Sequence, residues 1–249
     1  MADKVALVTG AAAGIGKACS VRLAKEGVAV GVLDLKLADA EAVAAEIVAA
    51  GGKAIGLEAD ISKTAQVEAA VAKLREAFGP VTIVVNNAGI SNFFPFEELT
   101  EKHWDDMYEI NVKGTFIVTR AVVPDMKAAG WGRVVNISSS SVQSGSVDQI
   151  HYAASKGAVV AMTRSLAQAL GPHGITVNNI PPGSVMGTIM SEANKHRFPI
   201  PFEQIAQMLP VRRLGIPEDI ANACAWLCSE DTGYVTGQTI GVNGGRVMS

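Results

Sequence analysis

The chain has 249 residues, with 21 Lys and Arg against 24 Asp and Glu and a formal net charge of −3. With 49% hydrophobic and 18% charged residues it can bury a sizeable core, which excludes intrinsic disorder. The slightly acidic balance, without a basic block, argues against nucleic acid or an anionic membrane as the main partner. Met1-Ala2-Asp3-Lys4 runs straight into an apolar segment, lacking the basic start and long apolar stretch of a signal peptide. No apolar run is long enough to span a bilayer, so the expectation is a soluble, cytoplasmic protein. Three cysteines, Cys19, Cys224 and Cys228, suit a reducing compartment, and the i,i+4 pair reads as small buried apolar residues. The histidines at 103, 151, 173 and 196 form no H-E-x-x-H pattern, so no metal site is expected.

Apolar strand-like runs alternate with helical segments along the whole chain. Val5 to Val8 reads as a buried strand, followed by a Gly-rich turn and a helix over about 15–26. Strand 28–33, an alanine-rich helix 38–50 stopped by Gly51-Gly52, strand 54–57 and helix 64–78 come next. Gly79-Pro80 precedes strand 81–85. A long helical stretch covers roughly 101–129, where Pro124 should bend or punctuate it. Strand 134–137, helix 152–170, strand 175–180, helix 217–229 and strand 239–242 complete the series. Continuous apolar strands separated by helices imply an α/β fold: a doubly wound parallel sheet, Rossmann-like, with helices on both faces. No linker or repeat divides the chain, which reads as a single domain over 1–249. The least regular stretch, 181–210, holds five prolines; loops of that length in a compact domain are usually functional, often lids.

The first strand ends in Thr9-Gly10-Ala11-Ala12-Ala13-Gly14-Ile15-Gly16. Glycines here permit a tight turn and a close approach of pyrophosphate to the backbone, with the helix N-terminus supplying N–H donors. The spacing is G-x3-G-x-G, and the plain alternative is a Gly-rich strand-to-helix turn. A P-loop fails, because Ala11 and Ala18 stand where its Gly and its Ser or Thr would be. Asp34, at the end of the second strand and 18 residues past Gly16, can accept both hydrogen bonds of a ribose diol. It would repel a 2′-phosphate, which favours NAD over NADP; a solvated strand-end Asp is the alternative. No Arg occupies 11–13, although Lys17 and Lys36 are near in sequence.

Tyr152 and Lys156 stand at i,i+4, so both project from one helix face. A Lys ammonium close to a phenol lowers the phenol's pKa, and such a Tyr can give or take a proton at a carbonyl or hydroxyl oxygen. Ser139, 13 residues earlier at a predicted strand end, can donate to the same oxygen.

Together these motifs resemble the short-chain dehydrogenase/reductase family over essentially residues 3–245. The Thr9-to-Gly16 run, with Gly10, Gly14, Ile15 and Gly16, is similar to its cofactor glycine motif, and Asp60-Ile61 to its adenine-side pair. Asn86-Asn87-Ala88-Gly89 is similar to the N-N-A-G segment beside the nicotinamide ribose. Asn111, Ser139, Tyr152 and Lys156 match the catalytic tetrad, and Pro182-Gly183 and Val242-Asn243-Gly244-Gly245 fit as well. The resemblance implies that Tyr152 is the general acid/base, that Ser139 orients and polarises the substrate oxygen, and that Lys156 depresses the Tyr152 pKa and binds the nicotinamide ribose. Asn111 would hold a water linking Lys156 to solvent. Four consecutive serines, 138–141, leave the serine to be chosen by spacing, which selects Ser139. The family commonly shows P-G-x-V-x-T where this chain reads Pro182-Gly183-Ser184-Val185-Met186-Gly187-Thr188. Thr188 is expected still to reach the carboxamide, with Gly187 absorbing the extra residue. Val185 completes the cofactor set.

By the same resemblance, substrate-facing positions include Phe93, Phe94, Phe96, Val142, His151, Met186, Ile189 and Met190, beside a substrate loop at about 183–210. Five of the seven Phe fall at 93, 94, 96, 198 and 202. They imply an apolar pocket for an aromatic or alicyclic secondary alcohol or ketone, or else packing of a lid or subunit interface. An NADPH-dependent 3-oxoacyl-carrier-protein reductase is the alternative, weakened by Ala11 to Ala13 and the net charge. A non-catalytic nucleotide sensor on this fold is the third reading, opposed by the intact tetrad. The family's habit is a homotetramer, with helices around 101–129 and 152–170 forming one interface.

Overall fold

The computed structural model describes residues 1–188, 191–192 and 200–248. Strands β1 (Val5–Thr9), β2 (Ala29–Asp34), β3 (Lys53–Glu58), β4 (Ile83–Asn86), β5 (Gly132–Ile137) and β6 (Ile175–Ile180) form one parallel sheet in the order β3-β2-β1-β4-β5-β6. Successive residues of β1 serve opposite faces: Ala6 and Val8 join one core, Val5 and Leu7 the other. The first core is closed by helices α1 (Gly14–Lys25) and α2 (Leu37–Ala49), and by α9 (Pro217–Cys228). The second is closed by α3 (Thr64–Phe78), α5 (Thr115–Ala129) and α7 (Ile150–Leu170). Covering both faces explains why the strands read as unbroken apolar runs. The sequence's expectation of a doubly wound parallel sheet holds.

The chain winds from β1 outward to β3, then returns to add β4 on the other side of β1. At that reversal the loops after β1 and β4 part, leaving a crevice at the strands' carboxyl ends. The glycine turn 10–16 and the segment 87–90 both lie there.

Two elements differ from the sequence expectation. The long helical stretch is broken not at Pro124 but into α4 (Glu101–Tyr108), a π-helical segment Glu109–Gly114, and α5. Pro124 sits inside α5 on its exposed side, where water can satisfy the Arg120 carbonyl that its missing N–H leaves unpaired. The expected strand 239–242 pairs with the end of β6 only at separate bridges, Asn179 with Thr239 and Pro182 with Val242. Beyond Ile180 the chain enters Pro181-Pro182, which have no N–H to continue a ladder; Gly183 N–H resumes it by donating to Val242 O at 3.2 Å. No helix among the described residues is long and apolar enough to cross a membrane.

Two further short α-helices are α6 (Ser141–Ser144) and α8 (Phe202–Met208). The three cysteines are free and buried between α1 and α9. The hydrogen bond with Cys19, followed by burial, holds the Cys224 thiol well above its usual range, so the cluster behaves as packing.

Candidate active site

The glycine turn brings backbone against backbone. Gly10 and Gly14 have φ of 61° and 53°, the left-handed region that glycine enters without strain. A Cβ on Gly16 would lie 2.2 Å from the Gly10 carbonyl oxygen, so only glycine fits at the start of α1. The N-cap, Ala13, offers no side-chain cap, and no acidic residue occupies the first turn. The first N–H groups of α1 are thus left without a capping side chain, beside the dipole's positive end. Asn87 ties this turn to β4: its Nδ2 donates to Thr9 O and Gly10 O, both at 3.0 Å. Thr9 Oγ1 in return accepts from the N–H groups of Asn87 and Ala88. These features fit a dinucleotide's pyrophosphate.

Asp34 ends β2 facing the same turn. Its Oδ2 accepts from Ala12 N–H at 2.9 Å and its Oδ1 from Leu35 N–H at 2.8 Å. Each oxygen keeps a further lone pair. Lys17, the nearest basic residue of the turn in sequence, is paired with Glu46 of α2 at 2.8 Å. Asp60 forms a local turn, with Oδ1 accepting from Ser62 N–H at 2.9 Å. Ile61 is buried, and its side chain fills the space above Gly114 of the π segment.

Across the crevice, Ser139 follows β5 and Tyr152 lies in the first turn of α7. Ser138 N–H and Ser140 N–H donate to Ile180 O and Pro182 O, so the stretch alternates along the end of β6 until the chain turns at Ser140. Ser138 and Ser140 are buried while Ser139 is half-buried, and the Ser139 side chain acts on the Tyr152 phenol in the direction that lowers its pKa. Among the four serines, position 139 is thus the one whose side chain influences the tyrosine.

The electrostatics differ from the spacing argument. Burial pushes the Tyr152 phenol above its ordinary value, with the Ser139 hydrogen bond acting the other way. Burial also lowers the Lys156 ammonium to about 8. Lys156 Nζ lies 5.9 Å from the Tyr152 ring centre and donates to Ile137 O at 3.0 Å. The ammonium is turned to a strand carbonyl, and burial outweighs its effect on the phenol.

Asn111 occupies the π segment and is fully buried. Its Oδ1 accepts from Ile90 N–H at 2.9 Å, and Nδ2 donates to Ile90 O and Ser155 Oγ, both at 3.0 Å. Ser155 Oγ donates in turn to Tyr152 O at 2.8 Å. The carboxamide therefore fastens the strand-end segment 89–90 to the tyrosine's helix. Gly89 makes this possible, since a Cβ there would lie 2.9 Å from Asn111 Oδ1 and 3.3 Å from Lys156 Nζ.

Sequence reasoning missed a buried polar row behind the site. Asn86, Asn136 and Asn179 are in register across β4, β5 and β6. Asn86 Nδ2 donates to Asn136 Oδ1 and Thr119 Oγ1, and Asn136 Nδ2 to Thr163 Oγ1. The signal was an Asn at three predicted strand ends, interpretable only once the register is known.

On the roof side, Gly187 has φ 73° and Thr188 follows directly above Gly14, whose Cβ would meet Thr188 atoms at 3.4 Å. Thr188 Oγ1 accepts from Ser191 N–H at 3.0 Å. Pro182 and Gly183 lie against the terminal segment, a Cβ on Gly183 being 2.8 Å from Asn243 Cα. Val185 bridges to Gly215, leaving Met186 half-buried. Phe94 stacks on His103 of α4 with centroids 3.8 Å apart and sits 5.9 Å from His151. His151 is fully buried, and neither ring nitrogen has a hydrogen-bond partner among the described residues. Burial and then His103 push its imidazole below the usual range. Phe93 and Val142 are half-buried, and Phe96 is exposed. Ile189, Met190, Phe198 and part of the 183–210 loop lie outside the described residues.

The profile of the short chain dehydrogenase family matches residues 4–197. A short-chain reductase protein, NovJ, of Streptomyces niveus is 40% identical over 248 residues, covering 98% of this chain and 94% of its own. The (2S)-[(R)-hydroxy(phenyl)methyl]succinyl-CoA dehydrogenase subunit BbsD of Thauera aromatica is 39% identical over 247 residues, 99% of this chain and 97% of its own. A 3-oxoacyl-[acyl-carrier-protein] reductase, FabG, of Staphylococcus epidermidis is 36% identical over 247 residues, 99% of this chain and 100% of its own. With a glycine turn and a Ser-Tyr-Lys cluster facing each other across the crevice of a parallel sheet, the chain belongs to the short-chain dehydrogenase/reductase family of oxidoreductases.

Proposed function

We propose that this chain is an NAD(H)-dependent oxidoreductase, a single dinucleotide-binding and catalytic domain that interconverts a hydrophobic, aromatic or alicyclic secondary alcohol and its ketone. The observation that carries the cofactor choice is Asp34. Its carboxylate faces the glycine turn with acceptor capacity left for a ribose diol, while Lys17 is neutralised by Glu46. A 2′-phosphate would meet negative charge there. The pyrophosphate would lie on Gly10, Gly14, Ile15 and Gly16, the adenine side on Asp60 and Ile61, and the nicotinamide side on Asn87 to Gly89, Pro182, Gly183, Val185 and Thr188.

The nicotinamide, when bound, supplies the hydride donor or acceptor. Tyr152 protonates the substrate oxygen in reduction and deprotonates it in oxidation. Ser139 donates to that same oxygen and orients it. Lys156 binds the nicotinamide ribose through its ammonium, and its charge favours the phenolate once the pocket closes around it. Asn111 acts as a positioning residue for segment 89–90 and for α7. Phe93, Phe94, Val142, His151 and Met186 form the substrate side. The buried free thiols suit a cytoplasmic setting.

The second reading, a thioester substrate, is favoured by the relatives whose names carry a coenzyme A or carrier-protein substrate. Both are separated by one panel: acetophenone, cyclohexanone and acetoacetyl-coenzyme A, each with NADH and with NADPH. The expected result is NADH-dependent reduction of a ring-bearing ketone, with kcat/KM roughly tenfold or more above that with NADPH, about 1.4 kcal/mol of discrimination. NADPH-dependent reduction of the thioester alone would overturn both the Asp34 and the pocket arguments.

A further inference from the structure

Ser139 has a neighbour that the family pattern does not require. Ser139 Oγ accepts two hydrogen bonds from Ser141: from its backbone N–H at 3.2 Å and from its hydroxyl at 2.9 Å. A serine hydroxyl has one donor and two acceptor lone pairs, so both lone pairs of Ser139 are occupied by one residue. Among the described residues the proton of Ser139 then has no other acceptor and is left for the Tyr152 side, where a substrate oxygen would stand. A donor whose own oxygen accepts a hydrogen bond is also polarised and donates more strongly. Ser141 can do this because the chain turns into α6 at this point: Ser140 adopts helical φ and ψ of −62° and −16°, folding Ser141 back over Ser139.

Neither Ser138 nor the nearby Ser144 shares the arrangement. Ser138 Oγ is buried and has no partner among the described residues. Ser144 Oγ bonds the backbone carbonyls of Ser140 and Gly145.

We propose that Ser141 is a positioning residue for catalysis, whose hydroxyl and N–H fix the direction of the Ser139 proton and hold it on the substrate oxygen. This rests on the assignment of Ser139 and Tyr152 as the groups that handle that oxygen. It also gives the four-serine run a function: two residues act, one on the substrate and one on its neighbour.

The test uses the full-length protein and the fastest ketone–cofactor pair of the panel above. Ser141→Ala removes the hydroxyl but keeps the N–H. Its kcat should fall roughly tenfold, the scale of one hydrogen bond lost at the reacting centre, with KM and NADH affinity within about twofold of wild type. Ser141→Thr, which restores a hydroxyl, should recover most of the loss. Should the Ala variant not fold, Ser141→Cys, with a weak S–H donor, is expected to lose kcat in the same way. A kcat within twofold of wild type in the Ala or Cys variant overturns the proposal. So does a loss of NADH affinity that parallels the loss of kcat and that Thr fails to restore. Ser139→Ala runs alongside as the control: if it is inactive while Ser141→Ala is unimpaired, only the role of Ser141 fails. An active Ser139→Ala would sink the underlying site assignment itself.

Discussion

Two buried titratable side chains, Tyr152 and Lys156, set the character of the site at the residue scale. The i,i+4 spacing showed that they share a helix face. It could not show that the Lys156 ammonium would be taken from water and turned to Ile137 O, because that carbonyl lies 19 residues away in sequence. The consequence is measurable. Lys156 falls from 10.5 in the unfolded chain to about 8 in the folded one, so between these values the unfolded state holds the extra proton. Stability therefore rises with pH across that window, and the full cost of burying the charge, about 3 kcal/mol, is present below pH 8. Lys156→Met fills the same space without charge and loses one hydrogen bond of about 1 kcal/mol. At pH 7 it should be more stable than wild type by about 2 kcal/mol in urea unfolding, while losing activity. That advantage should shrink by roughly 2 kcal/mol at pH 9.5. A variant less stable than wild type at pH 7 would contradict this account.

At the scale of elements, legibility in the sequence tracked how local the cause was. Strands β1 to β6 and most helices follow from apolar runs, glycine stops and periodicity, which reside within each segment. The π segment does not: it depends on Asn111 reaching Ile90 and Ser155, 21 and 44 residues away, and the sequence offered Pro124 as the more obvious break. The strand expected at 239–242 failed for a similar reason, since its partner stretch contains Pro181-Pro182. The glycine turn was legible as a motif, but which glycine is indispensable was not. The contact distances single out Gly16, where a Cβ would sit 2.2 Å from Gly10 O and 2.6 Å from Asn87 Nδ2. Gly16→Ala must displace the turn from β4, so a loss of about 1–3 kcal/mol in stability and a more than roughly tenfold weaker NADH affinity are expected, read by thermal unfolding and fluorescence titration. Gly171, exposed and with nothing within 4 Å of a Cβ, is the control, and Gly171→Ala should stay within about 0.5 kcal/mol. Equal effects of the two would mean that close packing in the turn is not what demands glycine.

For the whole molecule, the helices that present the site inward also present an apolar face outward. Asn111 points into the crevice from the π segment, while the flanking α4 and α5 expose Trp104 at 37% and Phe116 at 45%. Trp104 stacks on Tyr108 with centroids 5.4 Å apart, and the Arg120 guanidinium lies over Phe116 at 5.5 Å, so each of the two helices carries an exposed aromatic with a neighbour of its own helix against it. Association about a twofold axis would bring these two helices against their own copy and cover both aromatics. Composition could not reveal this, because the same Phe and Trp counts serve equally well in a core; only the helical phase set by the buried residues Met107, Ile117 and Val118 places 104 and 116 outside. From the family resemblance we propose a homotetramer with two kinds of interface, of which these helices form one. Light scattering should then give about four times the 25.9 kDa chain mass for the wild type. The double variant Trp104→Glu, Phe116→Glu puts four like charges together across each axis, and should fall to twice the chain mass with an intact fold by circular dichroism. A wild-type monomer, or a double variant that keeps the full assembly, would remove Trp104 and Phe116 from the interface and leave their exposure to be explained by another partner.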